Sequence, residues 1–395
     1  MSKKVVIIIE RANIVLGGAE RSIFELTTAL SGLGLETHIL AAKGQTDSKN
    51  IHILCQDKPG KRTGYFTFAE ALRKHLSENQ YCLIHSVLPF DFADVYQPRG
   101  GTYAESILRN AASYQNKPLE SYKKLTAFTN FRRSILLQAE RKLAQRPNGP
   151  VIAALSDYVA EQFKQHYGTS DERVVVIPNG VKTDKRTNAG QADRIRTQIL
   201  GELGLKEADN PALFLFAANN FRLKGLAVLI KAMAEAARYD TERKSYLIVA
   251  GNGRIHKYQH IAKRLNISKR VVFLGHIGRI QDALSVTDVA ILPTFYDPSS
   301  RYILEALAAG KPVITTRFNG ATDLFVNNRH GKVIAAPEDI SALAEAIVYF
   351  TDTNNIQKAS EAIAEDNIEE EISIRRAAKQ LVTVYESILQ RKDRK

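Results

Sequence analysis

Apolar residues recur along this chain in two alternating rhythms, short unbroken runs and longer stretches with a period near 3.6. Val5–Ile9 is an unbroken run, as a parallel strand covered on both faces requires. Gly17-Gly18-Ala19-Glu20-Arg21 then opens a helix, with Ile23, Leu26, Leu30 and Leu33 at helical spacing. Thr37–Ala41, His52–Cys55 and Cys82–His85 read as strands, with a helix over Phe66–Leu76. Val151–Leu155 reads as a strand feeding a helix over Asp157–His166, followed by a strand at Val174–Ile177. Strands alternating with helices predict a doubly wound α/β domain.

A second series repeats the rhythm. Leu213–Ala217, Tyr246–Ala250, Val271–Leu274, Val289–Leu292 and Val313–Thr316 read as strands, with helices over Gly225–Ala237, Lys257–Leu265 and Ile340–Phe350. Between the series, Asn179–Asn210 is polar and basic at first, glycine-bearing and without a clear strand, and its first half reads as the interdomain linker. Ile372–Leu389 carries apolar residues at helical spacing and predicts a closing amphipathic helix. The expected division is 1–184 for a first domain, 185–210 for a linker, 211–370 for a second domain and 371–395 for the last helix. A length of 395 residues fits two domains.

Charge changes the picture more than composition does. The chain has 44% hydrophobic and 25% charged residues, ordinary for a globular protein, but its net charge is +13. Such an excess implies a polyanionic partner. Between Tyr96 and Pro150, ten Lys/Arg stand against three acids, a net +7 in one segment. Apolar residues such as Ile107, Leu125, Phe131 and Leu136 are interleaved with them, as in a basic amphipathic helix lying on an anionic membrane. A solvated helical face or a funnel for a phosphorylated acceptor is the alternative. Cys55 and Cys82 lie in no metal-type spacing, so neither a disulfide scaffold nor a zinc site is expected. No apolar run approaches the roughly 20 residues that span a bilayer, and the five apolar residues near Met1 are too few for a signal sequence. The expected location is cytoplasmic, with peripheral attachment to the inner membrane face.

Candidate chemistry concentrates in Asp297-Pro-Ser-Ser-Arg-Tyr-Ile-Leu-Glu305, which runs into Ala306-Leu-Ala-Ala-Gly-Lys-Pro-Val-Ile314. Glu305 is expected to open a helix that stops at Gly310, so both acids would point near its N-terminus. Carboxylates accept paired hydroxyl hydrogen bonds, and the free N–H groups of a helix start hold phosphate. The plainer alternative is an N-capping Asp and a surface Glu. Gly17-Gly18 precede a helix and let backbone N–H groups approach a ligand, but they do not form the Gly-x-Gly-x-x-Gly dinucleotide fingerprint. Asn219-Asn-Phe-Arg222-Leu-Lys224-Gly225 ends a strand with two cations that suit a diphosphate. Gly251-Asn-Gly253 and Leu274-Gly275-His276 also end strands, at the edge where open α/β sheets bind ligands. His85 ends another. No Asp-x-Asp that would hold a metal-bound diphosphate is seen, so no metal and no cofactor are expected.

The Asp297–Glu305 segment resembles the Glu-x7-Glu signature of retaining glycosyltransferases of family four, with Asp297 in place of the first Glu. Gly17-Gly18-Ala-Glu-Arg, Lys224-Gly225 and Gly320-Ala-Thr-Asp323 resemble further loops of that family. Asp94-Val-Tyr and Tyr103-Ala-Glu105 resemble the acceptor-side loops of its lipopolysaccharide-core heptose glucosyltransferases, with Gly100 where those enzymes carry an acid. The resemblance implies the GT-B architecture, two facing Rossmann-like domains with an interdomain cleft. It implies that Asp297 contacts the donor sugar and Glu305 the ribose, that Lys224 and Arg222 neutralise the diphosphate, and that Gly17, Gly18, Gly251, Gly253 and Gly275 frame the donor. His85, Lys224 and Asp297 are the implied catalytic set. The implied partners are a nucleotide sugar and a saccharide or lipid-linked acceptor, with glucose from a uridine diphosphate donor as the transferred sugar. Two other readings compete: a non-hydrolysing sugar-nucleotide epimerase, and a basic nucleic-acid-binding protein. No nucleic-acid module is visible, so no nucleic-acid partner is expected.

Overall fold

The computed structural model describes residues 3–13, 18–57, 62–183, 187–239 and 243–394. The chain forms two compact units, one of Met1–Leu108, Ser121–Lys182 and Ser373–Lys395, the other of Arg109–Glu120 and Thr183–Ile372.

The elements up to the first boundary are β1 (Lys4–Ala12), α1 (Gly18–Ser31), β2 (Glu36–Gly44), β3 (Ile51–Ile53), α2 (Tyr65–Glu78), β4 (Leu83–Ser86), β5 (Val95–Tyr96), α3 (Tyr103–Ala112), α4 (Lys117–Leu125), α5 (Phe131–Gln145), β6 (Val151–Ala154), α6 (Asp157–Tyr167) and β7 (Val174–Val176). The chain continues through α7 (Ala189–Leu203), β8 (Ala212–Ala217), α8 (Leu226–Ala236), β9 (Ser245–Ala250), α9 (His256–Arg264), β10 (Val271–Gly275), α10 (Ile280–Ser285), β11 (Val289–Leu292), α11 (Arg301–Ala308), β12 (Val313–Thr316), β13 (Gly331–Ile334), α12 (Ile340–Tyr349), α13 (Thr353–Glu365), α14 (Ile368–Glu371) and α15 (Ile374–Asp393).

In the first unit the seven strands lie in the order β3-β2-β1-β4-β5-β6-β7, all parallel. The unbroken apolar run of β1 is explained by what covers each face. Val5, Ile7 and Ile9 pack with Leu26 and Leu30 of α1 and with Leu381 and Tyr385 of α15. Val6 and Ile8 point the other way, onto Phe68 and Leu72 of α2 and Leu136 of α5. The last helix is thus a structural part of this unit. It is capped by Ser373, whose hydroxyl accepts from Arg376 N, and tied down by Ile374 N donating to Val181 O at 2.8 Å.

The second unit holds six parallel strands in the order β10-β9-β8-β11-β12-β13. Two expectations change here. Most of the segment expected as a linker over 185–210 is helix α7, capped by Asn188 and ended by left-handed Gly204. Its buried Ala192, Ile195, Ile199 and Leu200 pack it into the second unit. The basic 96–150 segment also divides, since Arg109–Glu120 belongs to the second unit. It forms three α-helices rather than one, broken over 113–116 and again before Asn130, which caps α5.

Glu140 of α5 is fully buried in the first unit. Its carboxylate accepts from Tyr96 OH at 2.7 Å, Tyr167 OH at 2.5 Å and Tyr103 N at 2.7 Å. Loss of hydration outweighs these three bonds and raises its pKa from 4.5 to about 7. The folded state therefore holds this proton more tightly than the unfolded chain. Its contribution to stability is full below pH 4.5 and is lost as pH rises through about 7, on the order of 3 kcal/mol in all. Glu140→Gln removes this titration. Urea unfolding at pH 4.5 and pH 8 should show wild type losing stability relative to the variant at the higher pH. An equal difference at both pH values would contradict the assignment.

Candidate active site

The strand order of the second unit reverses its winding between β8 and β11, and such a switch point opens a crevice at the carboxyl ends of the strands. The loops that follow these two strands are fastened to each other. Phe295 N donates to Leu223 O at 2.9 Å. Gly225 has a φ of 83°, and a Cβ there would lie 2.0 Å from Pro293 O, so only glycine permits this approach. Lys224 Nζ donates to Asp297 Oδ2 at 2.6 Å and to Tyr296 O at 2.9 Å. The two side chains are 20% and 15% exposed, dry enough to hold the pair and open enough to meet a ligand.

Asp297 is fixed from three further directions. Its N donates to Phe318 O and its O accepts from Gly320 N, both at 2.9 Å. Its Oδ1 accepts from Ser299 N at 3.3 Å. The fully buried Asn319 completes the frame: its Oδ1 accepts from Ser300 N and Ala321 N, and its Nδ2 donates to Thr315 Oγ1. The turn leads directly into α11, as expected, but that helix starts at Arg301, so Glu305 lies one turn inside it rather than opening it. Glu305 is buried and accepts from Arg301 Nη2 at 3.1 Å. The turn and the helix it leads into thus carry two ion-paired carboxylates, Asp297 with Lys224 and Glu305 with Arg301.

The other expected residues are distributed as follows. Gly251 and Gly253 lie after β9 and Gly275 ends β10, at the same sheet edge, with Gly251 N donating to Gly275 O at 2.7 Å. Gly253 has a packing reason of its own: a Cβ there would stand 2.3 Å from the Phe221 ring. Arg222 is not aimed at the crevice pair. Its guanidinium donates to Asn110 O and Ser113 Oγ and stacks 3.9 Å over Tyr114, so its charge holds the Arg109–Glu120 segment. Gly18 is the first residue of α1, and Gly17 lies outside the described residues. His85 is not placed for acid–base work. It is fully buried in the first unit, with Nδ1 2.5 Å from Tyr385 OH. Burial first, and Arg99 second, push its pKa down to about 3, so the ring is neutral at physiological pH.

Two site residues escaped the sequence reading. Arg301 stands four positions before Glu305, the spacing of a helical ion pair, and that signal was available. Asn319 serves as a buried bracket between two loops, and nothing local in the sequence announces such a role.

The chain is similar to known glycosyltransferases along both units. Residues 16–185 match the model described as Glycosyltransferase Family 4, and residues 211–352 match that for glycosyl transferases group 1. The lipopolysaccharide glucosyltransferase WaaG of Escherichia coli K12 is 23% identical over 337 residues, covering 84% of this chain and 85% of that protein. The crystal structure of WaaG, a glycosyltransferase involved in lipopolysaccharide biosynthesis, superposes with a TM-score of 0.74 at 20% identity, covering 96% of this chain and 99% of the other. Anabaena Alr3699/HepE, solved with UDP and glucose, gives 0.69 at 18% identity, covering 98% of this chain and all of the other. With a family match on each of its two parallel-sheet units and the fold of GT-B enzymes, the chain belongs to the family-four, group 1 glycosyltransferases and is an enzyme of hexosyltransferase type.

Proposed function

We propose that the enzyme transfers a hexose with retention of configuration, taking glucose from a uridine diphosphate donor and passing it to a saccharide or lipid-linked saccharide such as lipopolysaccharide core. The observation that carries this reading is the Lys224–Asp297 pair at the switch crevice, with Glu305 one turn into the helix behind it. Glu305 would accept the ribose hydroxyls and Asp297 those of the sugar. Lys224 and Arg301 would face the diphosphate and take the place of a metal ion. The acceptor oxygen bonds to the anomeric carbon on the face the diphosphate leaves. The breaking C–O bond gives its electron pair to the diphosphate, whose phosphate oxygen takes the acceptor's proton. Negative charge grows on that leaving group, so a fixed cation there lowers the barrier.

Attachment to the cytoplasmic face of the membrane is proposed on separate grounds. Among the described residues no helix is long and apolar enough to cross a bilayer. In α4 and just beyond it, Tyr122, Leu125 and Phe131 are exposed beside Lys117, Lys123 and Lys124. Exposed apolar groups interleaved with cations suit an anionic lipid surface.

Three outcomes test the proposal. Glu305→Ala should weaken binding of UDP-glucose in calorimetry by roughly 1.5–3 kcal/mol, the worth of hydrogen bonds to a charged group. Unchanged affinity in a folded variant would remove Glu305 from the donor site. Wild type should keep its transferase activity in excess EDTA, and under the same conditions Lys224→Ala should lower turnover far more than it raises the donor Kd. Loss of wild-type activity in EDTA with recovery on adding Mg²⁺ or Mn²⁺ would reject the metal-free route. The protein should co-sediment with phosphatidylglycerol vesicles but not with phosphatidylcholine vesicles, less so at high salt, where a Debye length of ~10 Å at 0.1 M shrinks further. Lys123→Glu with Lys124→Glu should reduce that binding, and equal sedimentation with both lipids would count against charge-driven attachment.

A further inference from the structure

The first unit contains a cavity of about 330 Å³ at the carboxyl ends of β4 and β5. Val87 follows the one strand and Pro98, Gly100 and Gly101 follow the other, so the cavity opens on the edge where parallel sheets receive ligands. Asn130, Arg132 and Arg133 at the first turn of α5 also line it, as does Arg62. Three guanidinium groups therefore line one small space.

Their counter-charge is incomplete. Arg132 Nη2 lies 2.8 Å from Glu10 Oε1, and Arg62 Nε lies 3.9 Å from the same oxygen. Arg132 is also anchored, its Nη1 donating to Thr63 O at 2.8 Å. Among the described residues, Arg133 has neither an ion pair nor a side-chain hydrogen bond, although its backbone N is held by the Asn130 cap. Among the described residues one carboxylate thus serves two of the three guanidiniums, and the positive end of a fifteen-residue helix adds to the excess. Gly100 contributes bare backbone to the lining, and a Cβ on it would meet no atom within 4 Å. Among the described residues no acidic side chain lines the cavity.

We infer that this cavity binds an anionic group of the acceptor, a phosphate or carboxylate carried by the acceptor saccharide close to the hydroxyl that is glycosylated. Planar guanidinium forks pair with either group through two parallel hydrogen bonds, which gives orientation as well as attraction. This assignment rests on the glycosyltransferase reading and narrows its acceptor class to charged sugars. The donor diphosphate has its own cations, Lys224 and Arg301, on the second unit, so this cavity is left for the other substrate.

The test is direct binding to the full chain, read by calorimetry without turnover, so that failure of the donor assignment leaves it unaffected. Glucose 6-phosphate, glucuronate and glucose are titrated into wild type, Arg133→Ala, Gly100→Asp and Lys224→Ala. At least one anionic sugar should bind while glucose at the same concentration does not, and which one binds names the phosphate or the carboxylate as the source. Affinity should fall about tenfold or more in Arg133→Ala. Gly100→Asp, which has room for its side chain, should repel the same sugar. Lys224→Ala should bind it as wild type does. Equal binding of all three sugars would overturn the inference, as would affinity unchanged in both Arg133→Ala and Gly100→Asp. Loss in Lys224→Ala alone would place the anion in the donor crevice and overturn it as well. If no sugar binds but phosphatidylglycerol vesicles bind in an Arg133-dependent manner, the arginines serve lipid and the inference fails.

Discussion

A parallel sheet wound in both directions has one place where its connections part, and the chemistry of the second unit is organised around that place. From β8 the chain leaves through α8 towards β9 and β10, and from β11 it leaves through α11 towards β12 and β13. The loops leaving these adjacent strands diverge, and something must hold them at a defined separation. Here that is a set of short contacts: Leu223 O with Phe295 N, Gly225 under Pro293 O, and the Lys224–Asp297 pair. A ligand crevice that would otherwise be a gap between mobile loops is given fixed walls by backbone bonds and one ion pair.

The first unit repeats the strand order, with β1 and β4 in the places of β8 and β11. Its chemistry at the carboxyl edge is different. Where the second unit balances two carboxylates against two cations, the cavity beside β4 and β5 sets three arginines against one glutamate. His85, next to last in β4 and in register with Ile7 of β1, is turned into the packing between sheet and α15 and bonded to Tyr385. One topology thus supplies two edges, and the side chains that point out of each decide what it can hold.

Much of this was legible in the sequence because parallel strands covered on both faces must be continuous apolar runs, and β1, β8, β9 and β11 carry such runs. The Asp297–Glu305 spacing and Lys224-Gly225 were legible as motifs because they are local. What escaped depends on distant partners. Arg222 looks like a ligand cation until Asn110, Ser113 and Tyr114 are found around it, more than a hundred positions earlier. His85 looks catalytic at a strand end until Tyr385, three hundred positions later, is seen to bury it. The helix α7 was hidden by glycines at 190 and 201 that flank a weakly amphipathic face, and the two-residue strand β5 is too short to have a period at all.

Asp297 in place of the longer glutamate has a physical rationale in the turn it occupies. Its Oδ1 accepts from the N–H two residues on, Ser299, the local bond by which an aspartate shapes a turn before a helix. Its Oδ2 takes the Lys224 ammonium at 2.6 Å. An extra methylene would carry the carboxylate past the Ser299 N–H and break the ring that this bond closes. The same side chain therefore sets the entry of the chain into α11, on which Glu305 depends for its position, and fixes Lys224 across the switch crevice. A partly buried pair of this kind gives back much of its Coulomb energy as lost hydration. Its worth lies in geometry: the cation stays aimed at one point of the crevice, and each carboxylate oxygen keeps a lone pair for a hydroxyl. Reach towards a ligand is shortened by one methylene, and in exchange the two loops that form the site are locked to each other.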